Sequence, residues 1–308
     1  LVFQRGSTMH SLVPRDENGR SNYRMGALRP NQFGVDDAHV VEYVDSIAQA
    51  SGEFLQIVNF NLAGAQYAVA GTVAGLKALE EDATKRAAER GGKRPFMYVP
   101  GIDVPFHSTV LRSGVADFRT KLDERIPAEI DPAKLVGRYI PNLVARPFEL
   151  TREFAQSILD VVPSETVREL LEVPGAWDAA LANPGALTRT LLIELLCWQF
   201  ASPVRWIETQ RVLLSTEEAA PGVAGLGVDQ VIEVGLGAAP TLANLAARTL
   251  LAPEFALSRV DVFNVQRDES RVYATDVAVI EDEDDEEITP DAAAAEACLL
   301  YTSPSPRD

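Results

Sequence analysis

Between residues 21 and 99 the apolar positions change period in a regular order. Tyr23–Leu28 alternates as a strand. Asp36 then opens a helix in which Val40, Tyr43, Val44 and Ile47 recur at i, i+3, i+4 and i+7. Residues 53–61 read as a second strand, Leu62-Ala63-Gly64-Ala65 as a turn, and residues 66–70 as a third strand. Thr72 caps a helix carrying Leu76, Leu79, Ala83 and Ala87, which Arg90-Gly91-Gly92 ends, and residues 96–99 close the set. The order β-α-β-β-α-β predicts a ferredoxin-like subdomain over residues 21–99.

The flanking chain reads differently. Residues 1–20 look like the end of an N-terminal portion, with apolar Leu1-Val2-Phe3 running to the polar turn at 15–19. Residues 100–252 read as an α/β layer that the smaller subdomain interrupts. Within it, 138–145 is predicted as an edge strand broken by Pro141. Thr151 and Ser164 cap helices, 187–200 is a helix apolar on most sides, and Ser202-Pro203 starts another running through Trp206 toward Leu214. Residues 230–234 are predicted as a buried strand leading through Gly235-Leu236-Gly237-Ala238-Ala239-Pro240 to a helix with Leu242 and Leu245. Residues 260–265 and 271–275 pair as a hairpin in a structural linker spanning 253–276. An acidic, self-repelling linker follows over 277–297. Residues 298–308 read as adapter-derived sequence and are left out of the fold. With Leu1 rather than Met at the start, the expectation is a piece of a longer reading frame.

Composition narrows the class. The 308 residues are 46% hydrophobic, enough for one large core or two smaller ones. Mean hydropathy is near zero and no long apolar run occurs, so no membrane span is expected. The net charge is −17, seven of it in residues 281–287, with no basic stripe, which argues against nucleic acid as a partner. Two cysteines (Cys197 and Cys298) exclude a disulfide framework and fit a reducing, cytoplasmic setting. Neither they nor His10, His39 and His107 have metal-site spacing, so no metal and no resident cofactor are expected.

Candidate chemistry centres on Pro100-Gly101-Ile102-Asp103-Val104-Pro105-Phe106-His107-Ser108, where two prolines and a glycine stiffen the connection from strand to helix. Histidine moves protons near pH 7, and this one stands where a side chain can be aimed. Taken locally, a loop histidine bonded to its surroundings explains the stretch as well.

Separated motifs then agree in order and spacing. They are Phe3-Gln4-Arg5-Gly6-Ser7-Thr8-Met9, residues 15–23, Asn59-Phe60-Asn61, residues 101–108, Tyr139-Ile140-Pro141-Asn142, residues 202–210 and the Gly235 loop before Pro240-Thr241-Leu242. On these the chain, over about residues 1–275, resembles the malonyl/palmitoyl transferase domain of type I fatty acid synthases of fungi and actinobacteria. The resemblance implies an α/β-hydrolase-like acyltransferase domain, here incomplete, with a ferredoxin-like insert. It implies ping-pong transfer of malonyl and palmitoyl groups between coenzyme A and the phosphopantetheine thiol of an acyl carrier domain, through a serine ester. Partners would be the carrier and the other domains of the same multienzyme.

Residue by residue, the resemblance makes His107 the general base and Gln199 the residue whose backbone carbonyl holds its ring. It makes Arg5 the grip on the malonyl carboxylate, with Asn61, Gln66 and Phe106 as further substrate-binding positions. One more residue separates Asn61 from Gln66 than in the family. Arg5 would otherwise be a surface ion pair, and Asn61 a turn residue. No Gly-x-Ser-x-Gly or Gly-His-Ser occurs, so the nucleophile and oxyanion donors are expected upstream of Leu1 and the fragment alone is expected to be inactive. Two alternatives stand beside this: a nucleotide-binding domain built on Gly235-x-Gly237, opposed by Pro240 at the third glycine position, and a non-catalytic structural segment of a multienzyme.

Overall fold

The computed structural model describes residues 2–235 and 241–273. It divides into two compact units, Leu1–Thr209 and Gln210–Asp308.

The first unit begins with α1 (Val2–Ser11) and then builds the expected subdomain: β1 (Tyr23–Leu28), α2 (Val40–Ser51), β2 (Leu55–Leu62), β3 (Gln66–Thr72), α3 (Val73–Arg90) and β4 (Phe96–Tyr98). The strands lie in the order β2-β3-β1-β4, every pair antiparallel. Period-2 apolar positions Leu55, Ile57, Tyr67 and Val69 face period-3.6 positions Val40, Tyr43, Val44, Leu76, Leu79 and Ala83 in one core. Asp36 accepts from the backbone of His39 and Thr72 from that of Gly75, fixing both helix starts. Gly26 is needed where β1 meets β4, since a Cβ there would stand 2.0 Å from the Phe96 ring.

Residues 100–209 are helical, around a second core that includes Leu111, Phe118, Leu122, Phe148, Phe154, Leu191 and Phe200. A 3-10 turn (Thr109–Gly114) leads into α4 (Val115–Asp123), followed by α5 (Arg152–Leu159), α6 (Glu165–Glu172), α7 (Ala176–Leu181) and α8 (Pro184–Gln199). Thr151 and Ser164 cap α5 and α6 as expected. Two expectations are corrected. Residues 138–145 form turns, not a strand: Val144 and Ala145 both donate to the Pro141 carbonyl, and Ala145 adopts φ +50°. Ser202-Pro203 does not begin a helix. Val204 is held on the β2 edge, donating to the Val58 carbonyl and accepting from Phe60, and the helix starts only at Trp206.

The division between units falls within α9 (Trp206–Leu214). In the second unit, β5 (Glu218–Ala220) and β6 (Val223–Ala224) form a small antiparallel pair. A βαβ unit follows: β7 (Gln230–Glu233), α10 (Leu242–Thr249) and β8 (Asp261–Asn264), the strands parallel with Gln230 opposite Asp261. The expected burial of β7 does not hold, because in a two-stranded sheet its side chains alternate between partly covered and exposed. The expected 260–265/271–275 hairpin is also corrected. Asn264 closes β8 by accepting from the backbones of Gln266 and Arg267, and α11 (Glu269–Val272) stands where the second arm was expected. Residues 236–240 of the glycine loop, Thr275, the acidic linker and 298–308 lie outside the described residues. No helix among the described residues is long and apolar enough to cross a membrane.

Candidate functional site

The Pro100–Ser108 connection is as constrained as its sequence suggested. Gly101 has φ +75°, and His107 itself adopts φ +61°, a left-handed conformation that costs a residue with a Cβ on the order of 1 kcal/mol. Asp103, in the same connection, takes a two-point grip from Arg15, Nη1 at 2.5 Å and Nη2 at 3.1 Å. That pairing holds the Asp103 carboxyl below its usual range.

His107 is aimed by the end of α8. A helix leaves its last four carbonyls without internal partners. Two groups of His107 satisfy carbonyls there: the backbone N–H donates to Phe200 at 3.0 Å, and ring Nδ1 to Gln199 at 2.9 Å. A carbonyl only accepts, so Nδ1 carries the proton and neutral His107 presents its lone pair at Nε2. The acceptor of the ring is thus the backbone of Gln199. Its side chain makes only a 3.4 Å contact to the Ser202 carbonyl.

Arg5 meets this lone pair. Its Nη2 stands 3.5 Å from His107 Nε2, at the outer limit of a hydrogen bond. Helix α1 delivers it by packing on α4: Thr8 donates to Asp117 and accepts from Lys121, and Met9 enters the larger core. Leu12, just past α1, closes on Gly114 so tightly that a Cβ there would lie 2.2 Å from Leu12 Cδ1. Burial lowers the Arg5 pKa, and among the described residues no carboxylate pairs with it. Arg205, by contrast, is engaged by both oxygens of Glu208 at 2.6 Å. Burial, and then the Arg5 cation, push His107 down to about 4, while the backbones of Gln199 and Ser202 pull the other way. Near neutral pH the ring is a free base.

Phe106 packs against the larger core beside His107. Asn61 and Gln66 are buried at the turn end of the β2–β3 hairpin. Gln66 pairs with Leu62, and the register shifts between Phe60 and Leu62, so Asn61 is the bulged residue. The geometry thus gathers Arg5, His107, Phe106 and the Gln199 carbonyl, while Asn61 and Gln66 stand together on the hairpin.

Two positioning features escaped sequence reasoning. Gln56 on β2 accepts from both the backbone and the hydroxyl of Thr109, two residues past His107. The same strand holds Val204, so β2 fastens both arms of the site. The second is Glu194, buried in α8, which receives Arg119 at 2.6 and 2.8 Å, Ser164 at 2.7 Å and Trp198 at 3.3 Å. Its signal was available: it is the only charge in the apolar run from Leu191 to Phe200.

The nucleotide-binding alternative loses its anion site. At the start of α10 the backbones of Thr241, Leu242 and Ala243 all donate to the Glu233 carboxylate, where a phosphate would have to sit.

No protein-family model matches the chain. It is 40% identical over 288 residues to fatty acid synthase 2 of Mycosarcoma maydis, a match covering 82% of this chain and 7% of that protein. It is 38% identical over 211 residues to a fatty acid synthase beta subunit of Cochliobolus carbonum, covering 58% of this chain and 10% of that one. The Saccharomyces cerevisiae beta subunit is 34% identical over 214 residues, with 56% and 10% covered. The chain therefore spans about a tenth or less of the relatives it matches. Among solved structures, FabD from Acinetobacter baumannii superposes with TM-score 0.50 at 19% identity, covering 85% of this chain and 58% of that one. The malonyl CoA-acyl carrier protein transacylase of Clostridium perfringens gives the same TM-score and identity, with 86% and 58% covered. By sequence the chain is homologous to a segment of the fungal fatty acid synthases, and its α/β fold is similar to that of the malonyl transacylases on which it superposes.

Proposed function

We propose that this chain supplies the general base and the acyl-selecting cation of a malonyl transferase within a fatty acid synthase. The observation that carries the reading is the half-buried Arg5, unpaired with any carboxylate among the described residues and 3.5 Å from the lone-pair nitrogen of His107. A desolvated guanidinium is costly without an anion. The terminal carboxylate of a malonyl group would supply one, bound through the planar two-donor fork.

In the proposed reaction a serine hydroxyl, expected from a Gly-His-Ser type elbow, attacks the thioester carbonyl. Its proton passes to His107 Nε2, the C–S bond breaks, and the departing coenzyme A thiolate takes that proton. The second half runs in reverse: His107 accepts the proton of a carrier-bound phosphopantetheine thiol, its sulfur attacks the acyl carbonyl, the C–O bond to serine breaks, and the serine oxygen takes the proton back from His107. The Gln199 carbonyl keeps Nδ1–H directed away from the chemistry and steadies the imidazolium while it exists. Palmitoyl groups, which end in a methyl, would use the same base without the Arg5 contact. No group beyond the coenzyme A thioester and the carrier's phosphopantetheine is needed.

The test is His107→Ala in the full-length synthase, assayed for malonyl transfer from coenzyme A to the carrier. Loss of about 10²–10⁴-fold is expected for a general base. A rate close to that of the parent would overturn the assignment.

A further inference from the structure

Helix α8 carries the carbonyls that aim His107, so its rotation and register decide where the ring points. A slip of one residue moves a carbonyl about 1.5 Å along the axis and roughly 100° around it. Apolar packing along α8 is not directional enough to forbid such a slip. One polar anchor on the helix is.

Glu194 is 1% exposed and lies five residues before Gln199. Its two oxygens receive the Arg119 fork, the Ser164 hydroxyl and the Trp198 indole N–H. A buried carboxylate is tolerated only when such partners are complete, and this set is complete in one register of α8 alone. The partners are also placed to matter. Arg119 belongs to α4, the helix into which the chain runs after His107. Ser164 is at the same time the N-cap of α6. Beside Arg119, Phe118 makes an edge-to-face contact with Phe200, whose carbonyl binds the His107 backbone (centroids 5.4 Å apart, planes at 84°). One clamp therefore joins the element that follows His107 to the element that holds it.

We infer that Glu194, through its pairing with Arg119, is a positioning residue for His107: it sets the register of α8 and so keeps the Gln199 carbonyl on ring Nδ1. The consequence for catalysis rests on the reading of His107 as the base. The structural part does not.

The experiment uses two variants. Glu194→Gln keeps the shape and places an amide against Arg119. The pair Arg119→Met with Glu194→Leu replaces the buried carboxylate and its partly exposed partner by apolar groups of similar size, a change that commonly leaves folding intact. In this chain, ¹⁵N NMR of the His107 imidazole reads tautomer and titration midpoint directly. The parent is expected to show one Nδ1–H tautomer. The double variant should keep a cooperative melt yet show mixed tautomers and a lower midpoint, because the Gln199 carbonyl bond that favours the protonated ring is weakened. In the full-length synthase the same variant should lower kcat about tenfold with KM for malonyl-coenzyme A little changed, since Arg5 stays in place. A folded double variant whose tautomer and midpoint equal the parent's would overturn the inference. Unfolding of both variants would overturn it too, because Glu194 would then be holding the whole core rather than aiming one ring. Failure of the catalytic reading looks different: His107→Ala would leave transfer intact while the NMR response to the double variant persisted.

Discussion

His107 and Gln199, ninety-two residues apart, are joined ring to backbone: Nδ1 donates to the Gln199 carbonyl at 2.9 Å. Because the acceptor belongs to the main chain, the Gln199 side chain is dispensable for ring orientation. Gln199→Ala is expected to keep the Nδ1–H tautomer and to hold transfer within about threefold of the parent, a change too small for loss of a catalytic contact. Imidazole ¹⁵N shifts and a loading assay check this together. Loss of the tautomer would show that the side chain, not the carbonyl, does the aiming.

His107 titrates near 4, chiefly through burial and secondarily through Arg5. Its folded pKa lies below the unfolded value, so the unfolded chain binds more protons between about pH 6.5 and 4. Stability contributed by neutral His107 is therefore full above that window and lost as pH falls through it. Arg5→Ala should raise the midpoint, because a nearby cation is gone, yet leave it below 6.5, because burial remains. NMR titration of the two proteins decides it. An unchanged midpoint would mean that the 3.5 Å contact has no electrostatic weight.

The βαββαβ subdomain was legible because each of its elements carries its own local signal. Asp36 and Thr72 announce their helices, and Leu62–Ala65 separates two strands of clear period. The regions that misled share a different cause. Residues 138–145 alternate like a strand, but Leu143 and Val144 bury their side chains from a turn, which period alone does not distinguish. Ser202-Pro203 has the composition of a helix start, yet the β2 edge claims Val204 through long-range hydrogen bonds invisible in a local window. The 271–275 arm failed because Asn264 and Asp268 close the turn with side-chain bonds that divert the chain into α11. At the site, Arg5 and the Gln199 carbonyl came from the resemblance, since residues 102 and 92 positions from His107 leave no periodic trace. Glu194 could have been found as a lone charge inside an apolar helix.

Asp103 and Arg15 fasten the His107 connection at its start. Arg15 keeps the Asp103 carboxyl ionised to lower pH than usual, so its contribution is present above about pH 4 and is lost as pH falls through the depressed value. The pair is partly solvated, at 18% and 36% side-chain exposure, which limits its worth to at most about 1 kcal/mol. Asp103→Asn should lower the urea midpoint at pH 7 and by less at the lowest pH at which the fold holds, as Asp103 protonates through its depressed value. Equal losses at both pH values would assign the effect to shape rather than charge.

In the proposed reaction Arg5 selects the acyl group that His107 helps to transfer, and a comparison of two substrates at one site tests it. In the full-length synthase, Arg5→Ala strands the malonyl carboxylate without its partner. Malonyl loading should fall by about tenfold to several hundredfold, the range of a lost charge-assisted hydrogen bond and a stranded anion. Arg5→Lys should recover only part of this, having the charge without the fork. Palmitoyl loading should change little or rise. The measurement is the parallel rate of enzyme loading from malonyl- and palmitoyl-coenzyme A in parent and variant: selective loss of malonyl is the predicted result, and equal loss of both would show that Arg5 does not select the acyl group.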